Sequence, residues 1–242
     1  MKETSLALTL SSLSFMLAVI WGDPLLRVLR HFKIGKVIRV EGPDRHFAKM
    51  GTPTMGGVMV LLPVALLTIL LNATSLIGLK VLGRSVIVPL IAMLGFGILG
   101  AIDDWEGIRG PRRGLGMRAR TKFLFQVAFA LMIAFALRYL LEVPQMYWPG
   151  YKEPIDLGIW YIPLAAIVIV GFSNAVNFTD GLDGLAGLIA ATSFATYGGI
   201  ALLQGQIFIG RFCFTLVGAL FGGVRKRPPL APAPSGFPGL VG

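Results

Sequence analysis

The segment 171-GFSNAVNFTDGLDGLAGL-188 interrupts the most apolar part of the chain, between the apolar runs 159–170 and 185–203. Four polar residues recur in it at every third position: Asn174, Asn177, Asp180 and Asp183. On a helix this spacing keeps neighbouring members on adjoining parts of one surface, and the interspersed glycines let the backbone approach a ligand closely. Carboxylates and amides at a membrane boundary are costly unless they meet a cation or polar ligand. The segment therefore predicts a site for a metal or a polar substrate, in preference to a solvated loop capped by Asx residues.

The composition predicts an integral membrane protein. Of its 242 residues 55% are hydrophobic and 14% are charged, whereas soluble domains carry roughly 25% charged residues. Seven apolar runs predict helices: 6–21, 58–71, 86–101, 123–141, 159–170, 185–203 and 212–224. The last run is too short for a hydrocarbon core of about 30 Å unless 207–211 extend it. We expect an all-α polytopic transmembrane bundle of about six to seven spans.

The distribution of basic residues predicts the orientation of this bundle. Seven lysines and arginines lie between residues 27 and 49, and six lie between residues 109 and 122. The positive-inside rule then places both segments in the cytoplasm and the N-terminus outside. By the same count the 174–185 stretch is cytoplasmic, so three polar segments are expected to share one membrane face.

Two of these segments contain candidates for phosphate and metal chemistry. Asp103 and Asp104 end the third run, at the negative end of the helix dipole. This placement favours a Mg²⁺ or basic-ligand site over capping of a following helix. Lys122 enters the fourth run at the depth of a reacting phosphate. Lys49 precedes GTPTMGG at 51–57, which is either an anion-binding turn at a helix start or a plain turn with an N-cap.

Carboxylates, lysines and flexible backbone at one cytoplasmic face are suited to joining a nucleotide-linked polar substrate to a lipid phosphate. Phosphoryl transfer needs mainly positioning and charge stabilisation from the protein. A transporter is the alternative from another class, because broken helices with paired carboxylates also build ion sites. The clustering at one face, instead of at the midplane, favours the transferase.

The motifs GTPTMGG at 51–57, AIDDWEG at 101–107, ARTKF at 119–123 and NAVNFTDGLDGLAG at 174–187 resemble one family. The resemblance is to the phospho-N-acetylmuramoyl-pentapeptide transferases (translocase I), a branch of the polyprenyl-phosphate N-acetylhexosamine-1-phosphate transferases, and covers roughly residues 5–220. It implies a ten-helix, multi-pass enzyme of the bacterial inner membrane that uses Mg²⁺. Its substrates would be UDP-MurNAc-pentapeptide and undecaprenyl phosphate, and its products lipid I and UMP. A homodimer is left open, and no nucleic-acid partner is expected.

The resemblance also implies roles for individual residues. The catalytic residues would be Asp103, Asp104, Asp183 and Lys122, and the metal ligands Asp103, Asp104 and Asp183. Asp103 would deprotonate the lipid phosphate and Lys122 would bind phosphate, in either a one-step or a covalent mechanism. The substrate-binding set is expected to comprise Lys49, Thr52, Thr54, Asn174, Asn177, Asp180, Gly181 and Leu182.

The C-terminal part departs from the family. Residues 1–221 are predicted to form the transferase domain, whereas 222–242 are Pro-rich and basic and predict a disordered tail that is not family-like. The family's Gly-Asp-Thr-Gly-Ser motif, whose Asp is a magnesium ligand, and its His-rich loop do not occur here. We therefore expect a C-terminally truncated reading frame that is weakly active or inactive. The remaining alternatives are a UDP-GlcNAc:polyprenyl-phosphate GlcNAc-1-phosphate transferase and a non-catalytic fragment.

Overall fold

The structure is a computed structural model that describes residues 2–31, 56–73, 84–109, 116–143, 145–146, 150, 153–179 and 184–225. Its helices are α1 (Lys2–His31), α2 (Val58–Ala73), α3 (Ile87–Arg109), α4 (Ala119–Tyr139), α5 (Tyr161–Thr179), α6 (Leu185–Leu203) and α7 (Ile207–Arg225). Short 3-10 turns, Arg84–Val86 and Gly158–Trp160, precede α3 and α5. Between α4 and α5 two antiparallel strands, β1 (Gln145–Met146) and β2 (Ile155–Asp156), form a small hairpin-like pair.

Six of these helices, all except α2, are long and apolar enough to cross a membrane. The 16 residues of α2 reach about 24 Å, which is shorter than a typical hydrocarbon core. The predicted all-α polytopic bundle is therefore confirmed for the part of the chain that the structure describes. α7 begins at Ile207, so it includes the five residues that the short last run needed in order to span.

α7 is the centre of the larger helix cluster, in which it packs against α1, α2 and α6. Of its apolar window 56% is buried, against 28% or less in each of the other five long helices. Small residues allow this close packing. A Cβ on Gly218 would lie 1.9 Å from the Ser11 carbonyl oxygen, and one on Gly222 would lie 2.7 Å from Ala18 Cβ. In lipid such close backbone approach is a main source of helix association.

α4 and α5 pack against each other as a second cluster, whose buried core is Ala130, Ala166 and Val170. α3 joins α4 through an edge-on contact between the Phe96 and Phe129 rings, with centroids 5.4 Å apart. Because the three helices alternate in direction, the end of α3, the start of α4 and the end of α5 meet at one end of the bundle.

The C-terminus of α7 brings two further helix starts to the neighbourhood of that end. Val224 lies against Gly184 and Gly187 at the start of α6, and a Cβ on Gly223 would lie 3.0 Å from Val60 near the start of α2. α7 continues to Arg225, which is beyond the predicted domain boundary at residue 221, because these small residues pack within the bundle. Residues 226–242 of the predicted tail lie outside the described residues.

Candidate functional site

A cavity of about 560 Å³ opens where α3, α4 and α5 meet. Its wall combines one carboxylate, two cations and three side-chain amides with apolar groups: Asp103, Met117, Ala119, Arg120, Lys122, Phe123, Gln126, Asn174 and Asn177. α3 supplies the carboxylate, the first two turns of α4 supply the cations and Gln126, and the last turns of α5 supply the two asparagines.

An ion pair joins α3 to α4 at the mouth of the cavity. Lys122 Nζ donates to Asp103 Oδ2 at 2.7 Å, and the backbone N–H of Met117 donates to Asp103 Oδ1 at 2.9 Å. Both charged side chains are about one-quarter exposed, at 25% for Lys122 and 24% for Asp103. Charge-assisted hydrogen bonds in such a partly buried position are stronger than those at an open surface. The two oxygens of Asp103 thus hold in place the residues at the start of α4, Met117 through its backbone and Lys122 through its side chain.

Gly116 makes this arrangement possible. Its φ of +68° is in the left-handed region, which glycine adopts without steric cost. A Cβ at this position would lie 2.6 Å from Asp103 Oδ1. Both the backbone conformation and the space beside the carboxylate therefore require glycine.

A hydrogen bond between two amide side chains joins α4 to α5 deeper in the cavity. Asn174 Nδ2 donates to Gln126 Oε1 at 3.1 Å and to the Val170 carbonyl oxygen at 2.9 Å. Gln126 is buried, with 4% of its surface exposed. Asn177 lies one turn after Asn174 and also lines the cavity.

Four of the predicted site residues come together in this cavity: Asp103, Lys122, Asn174 and Asn177. Asp104 is half-buried, and within the described ranges it is not part of the cavity wall. Successive helix residues point about 100° apart, so neighbouring aspartates on α3 cannot share one face. The other predicted residues lie outside the described residues: Lys49, Thr52, Thr54, Asp180, Gly181, Leu182 and Asp183.

Sequence reasoning missed Gln126 and Gly116. Gln126 had a detectable signal, because a polar residue within an apolar span is a candidate functional residue by default. It also follows Lys122 by four positions, which places both on one face of α4. Gly116 had a weaker signal, since glycines are frequent in this chain and its role depends on the contact with Asp103.

The described residues would supply only part of a coordination shell for Mg²⁺. They contain no group of three His, Cys, Asp or Glu side chains that could bind a metal ion. Asp103 already accepts two hydrogen bonds, although it stays partly exposed to the cavity. Mg²⁺ commonly uses one or two protein carboxylates and completes its shell with substrate phosphates and water. The donor set fits a metal that arrives together with a phosphate.

Comparison with known proteins finds one matching family model and curated relatives that share one name. Residues 86–225 match the model of Glycosyl transferase family 4. A phospho-N-acetylmuramoyl-pentapeptide-transferase of Chloroflexus aurantiacus is 40% identical over 225 positions, which cover 90% of this chain and 59% of the relative. Proteins of the same name from a Geobacillus species and from Desulfitobacterium hafniense are 38% and 37% identical. These matches cover 87% and 90% of this chain and 63% and 67% of the relatives.

The chain thus spans about three-fifths to two-thirds of the length of these curated relatives. The family model begins at Val86, directly before α3, and covers α3 to α7. It therefore includes every helix that lines the cavity. The resemblance predicted from the four motifs is confirmed. The chain belongs to Glycosyl transferase family 4.

Proposed function

We propose that this chain transfers phospho-MurNAc-pentapeptide from UDP-MurNAc-pentapeptide to undecaprenyl phosphate, with lipid I and UMP as products. The observation that carries the proposal is the Asp103–Lys122 pair in a polar cavity at the ends of three apolar helices. Such a position lets a water-soluble phosphate and a lipid phosphate reach the same side chains. The names of the relatives support this choice of substrates.

The proposed reaction exchanges one phosphorus–oxygen bond for another. An oxygen of undecaprenyl phosphate attacks the phosphorus linked to the sugar, and the bond from that phosphorus to the UMP oxygen breaks. The bonding electrons leave with UMP. Lys122 and Arg120 stabilise negative charge on the phosphates, which is the main contribution that a protein makes to this chemistry.

Asp103 would accept the proton of the lipid phosphate. In the described structure Lys122 donates to Asp103 Oδ2 at 2.7 Å. When a phosphate binds Lys122, the Lys122 ammonium group moves away from the Asp103 carboxylate. Oδ2 of Asp103 then becomes available as a base. Met117 N–H continues to hold Oδ1, so the carboxylate keeps its orientation.

We further propose Mg²⁺ as the cofactor. Asp103 would hold it, with Asp183 from outside the described residues. When bound, Mg²⁺ neutralises charge on phosphate oxygens. Lys122 and Arg120 contribute charge of the same sign from the cavity wall.

The proposed location is the bacterial plasma membrane, with the cavity at the cytoplasmic face. Three basic residues lie at the start of α4, beside the cavity: Arg118, Arg120 and Lys122. The positive-inside rule favours the cytoplasm for such a cluster.

Donor choice tests the proposed function. The full chain is purified in detergent and mixed with undecaprenyl phosphate, Mg²⁺ and either UDP-MurNAc-pentapeptide or UDP-GlcNAc. Because the chain spans only part of its relatives' length, donor binding is measured first and UMP release second. We expect binding of UDP-MurNAc-pentapeptide and slow UMP release that requires both substrates. Preferential binding or turnover of UDP-GlcNAc would contradict the proposal.

A further inference from the structure

Gln126 is a buried amide at the cavity whose hydrogen-bonding capacity is only half used. Its Oε1 accepts from Asn174 Nδ2 at 3.1 Å. Its Nε2, which carries two hydrogens, makes no hydrogen bond among the described residues. The side chain is 4% exposed and lines the cavity. Nε2 is not one of the fully enclosed polar atoms that lack a partner, so it keeps access to the cavity and can donate to a ligand that accepts hydrogen bonds.

Asn174 fixes which end of the Gln126 amide is available. Asn174 gives its Nδ2 hydrogens to Gln126 Oε1 and to the Val170 carbonyl oxygen. If the Gln126 amide turned over, its NH₂ group would face the NH₂ group of Asn174, and the contact between the two side chains would become repulsive. The Val170 carbonyl of α5 thus orients Asn174, and Asn174 orients the Gln126 amide. In this orientation the Nε2 hydrogens of Gln126 make no hydrogen bond to the described residues.

The position of Gln126 relative to Lys122 indicates the ligand. The two residues are four positions apart on α4, so their side chains lie on one face and about 6 Å apart along the axis. An ionised phosphate oxygen can accept hydrogen bonds but cannot donate them. A cation and a neutral donor one turn apart are therefore complementary to a phosphate, and Asn174 keeps the competing acceptor of Gln126 turned away.

We propose that Gln126, held by Asn174, donates a hydrogen bond to a phosphate that Lys122 also binds. The inference rests on the proposed function for the origin of that phosphate, which is either undecaprenyl phosphate or the diphosphate of the nucleotide sugar. Gln126 lies farther into the apolar helix than Lys122. The phosphate of the lipid is therefore the expected ligand.

The test measures binding without turnover. Undecaprenyl phosphate, undecaprenol of the same chain length, and UDP-MurNAc-pentapeptide are titrated into the full chain and into Gln126→Met. Methionine keeps the unbranched shape and removes both polar atoms. We expect affinity for undecaprenyl phosphate to fall about tenfold or more, the worth of one hydrogen bond to a charged group. Affinity for undecaprenol is expected to stay unchanged.

Two further variants separate a ligand contact from a structural role. Gln126→Glu replaces the donor by an anion, and a larger loss of phosphate affinity is expected. Gln204→Glu makes the same change in the exposed turn between α6 and α7, and affinity there should match wild type. If Gln126→Glu does not fold, Gln126→Met alone decides.

The outcomes distinguish the two proposals. Selective loss of lipid-phosphate affinity, or selective loss of nucleotide-sugar affinity, supports the inference and identifies the source of the phosphate. Unchanged affinity for both phosphate ligands, or an equal loss for undecaprenol, overturns it. Intact binding of both substrates by wild type with no UMP release counts against the proposed transfer and leaves the role of Gln126 standing.

Discussion

Replacing Gly116 by alanine tests the geometry of the site most sharply. Its φ of +68° costs an L-residue about 1 kcal/mol or slightly more. The new Cβ would lie 2.6 Å from Asp103 Oδ1, so the carboxylate must retreat by most of an ångström. This displacement weakens the hydrogen bond from Met117 N–H, which is charge-assisted and worth about 1.5–3 kcal/mol. The free energy of unfolding should fall by about 2.5–4 kcal/mol in total.

Gly205 provides the matched control for this change. It has a φ of +75° but no atom within 4 Å of a Cβ at its position. Gly205→Ala should therefore lower the free energy of unfolding by only about 1 kcal/mol, measured by SDS titration in mixed micelles. UMP release should drop about 100-fold in Gly116→Ala, because a misplacement of about 1 Å has that effect on catalysis, and should stay near wild type in Gly205→Ala. Equal losses of stability in the two variants would refute the reasoning.

Two other predictions concern helix contacts. Asp103→Asn and Lys122→Met, alone and combined, should give a coupling free energy of about 1 kcal/mol in a double-mutant cycle of unfolding, since their ion pair is only partly exposed. A coupling below about 0.2 kcal/mol would show that the 2.7 Å contact contributes nothing measurable. Gly218→Ala should destabilise the protein by about 2–3 kcal/mol, because its Cβ would meet the backbone of α1 at 1.9 Å. At Gly199 in α6 an added Cβ meets open space, so Gly199→Ala should raise the free energy of unfolding by about 0.5–1 kcal/mol. Indistinguishable effects of Gly218→Ala and Gly199→Ala would contradict the close packing of α1 and α7.

The fold class could be predicted from the sequence because membrane spans depend on composition and length alone. The apolar runs located all seven α-helices that the structure describes. The 212–224 run was too short to span alone, and the helix does include residues 207–211 as expected. The same signal could not show that α7 is the centre of its cluster. That arrangement depends on which glycines meet which backbone, as Gly218 meets Ser11, and such pairings are not visible in a hydropathy pattern.

The site was predictable where a residue is unusual for its surroundings. Asp103 and Lys122 are charges at the ends of apolar runs, and the structure places them 2.7 Å apart. Gly116 has a role only because of its positive φ and its contact with Asp103, which a list of glycines does not reveal. The role of Gln126 was harder to predict, because its hydrogen-bond partner, Asn174 on α5, is 48 residues away in the sequence.

The central claim is that phosphate transfer occurs in the cavity between α3, α4 and α5, with Lys122 as the residue that binds phosphate. The most direct measurement is UMP release from UDP-MurNAc-pentapeptide and undecaprenyl phosphate by wild type and by Lys122→Met at equal protein concentration. Removing one charge-stabilising donor should lower the rate about 100-fold or more. UMP release by Lys122→Met at the wild-type rate would place the chemistry elsewhere in the protein.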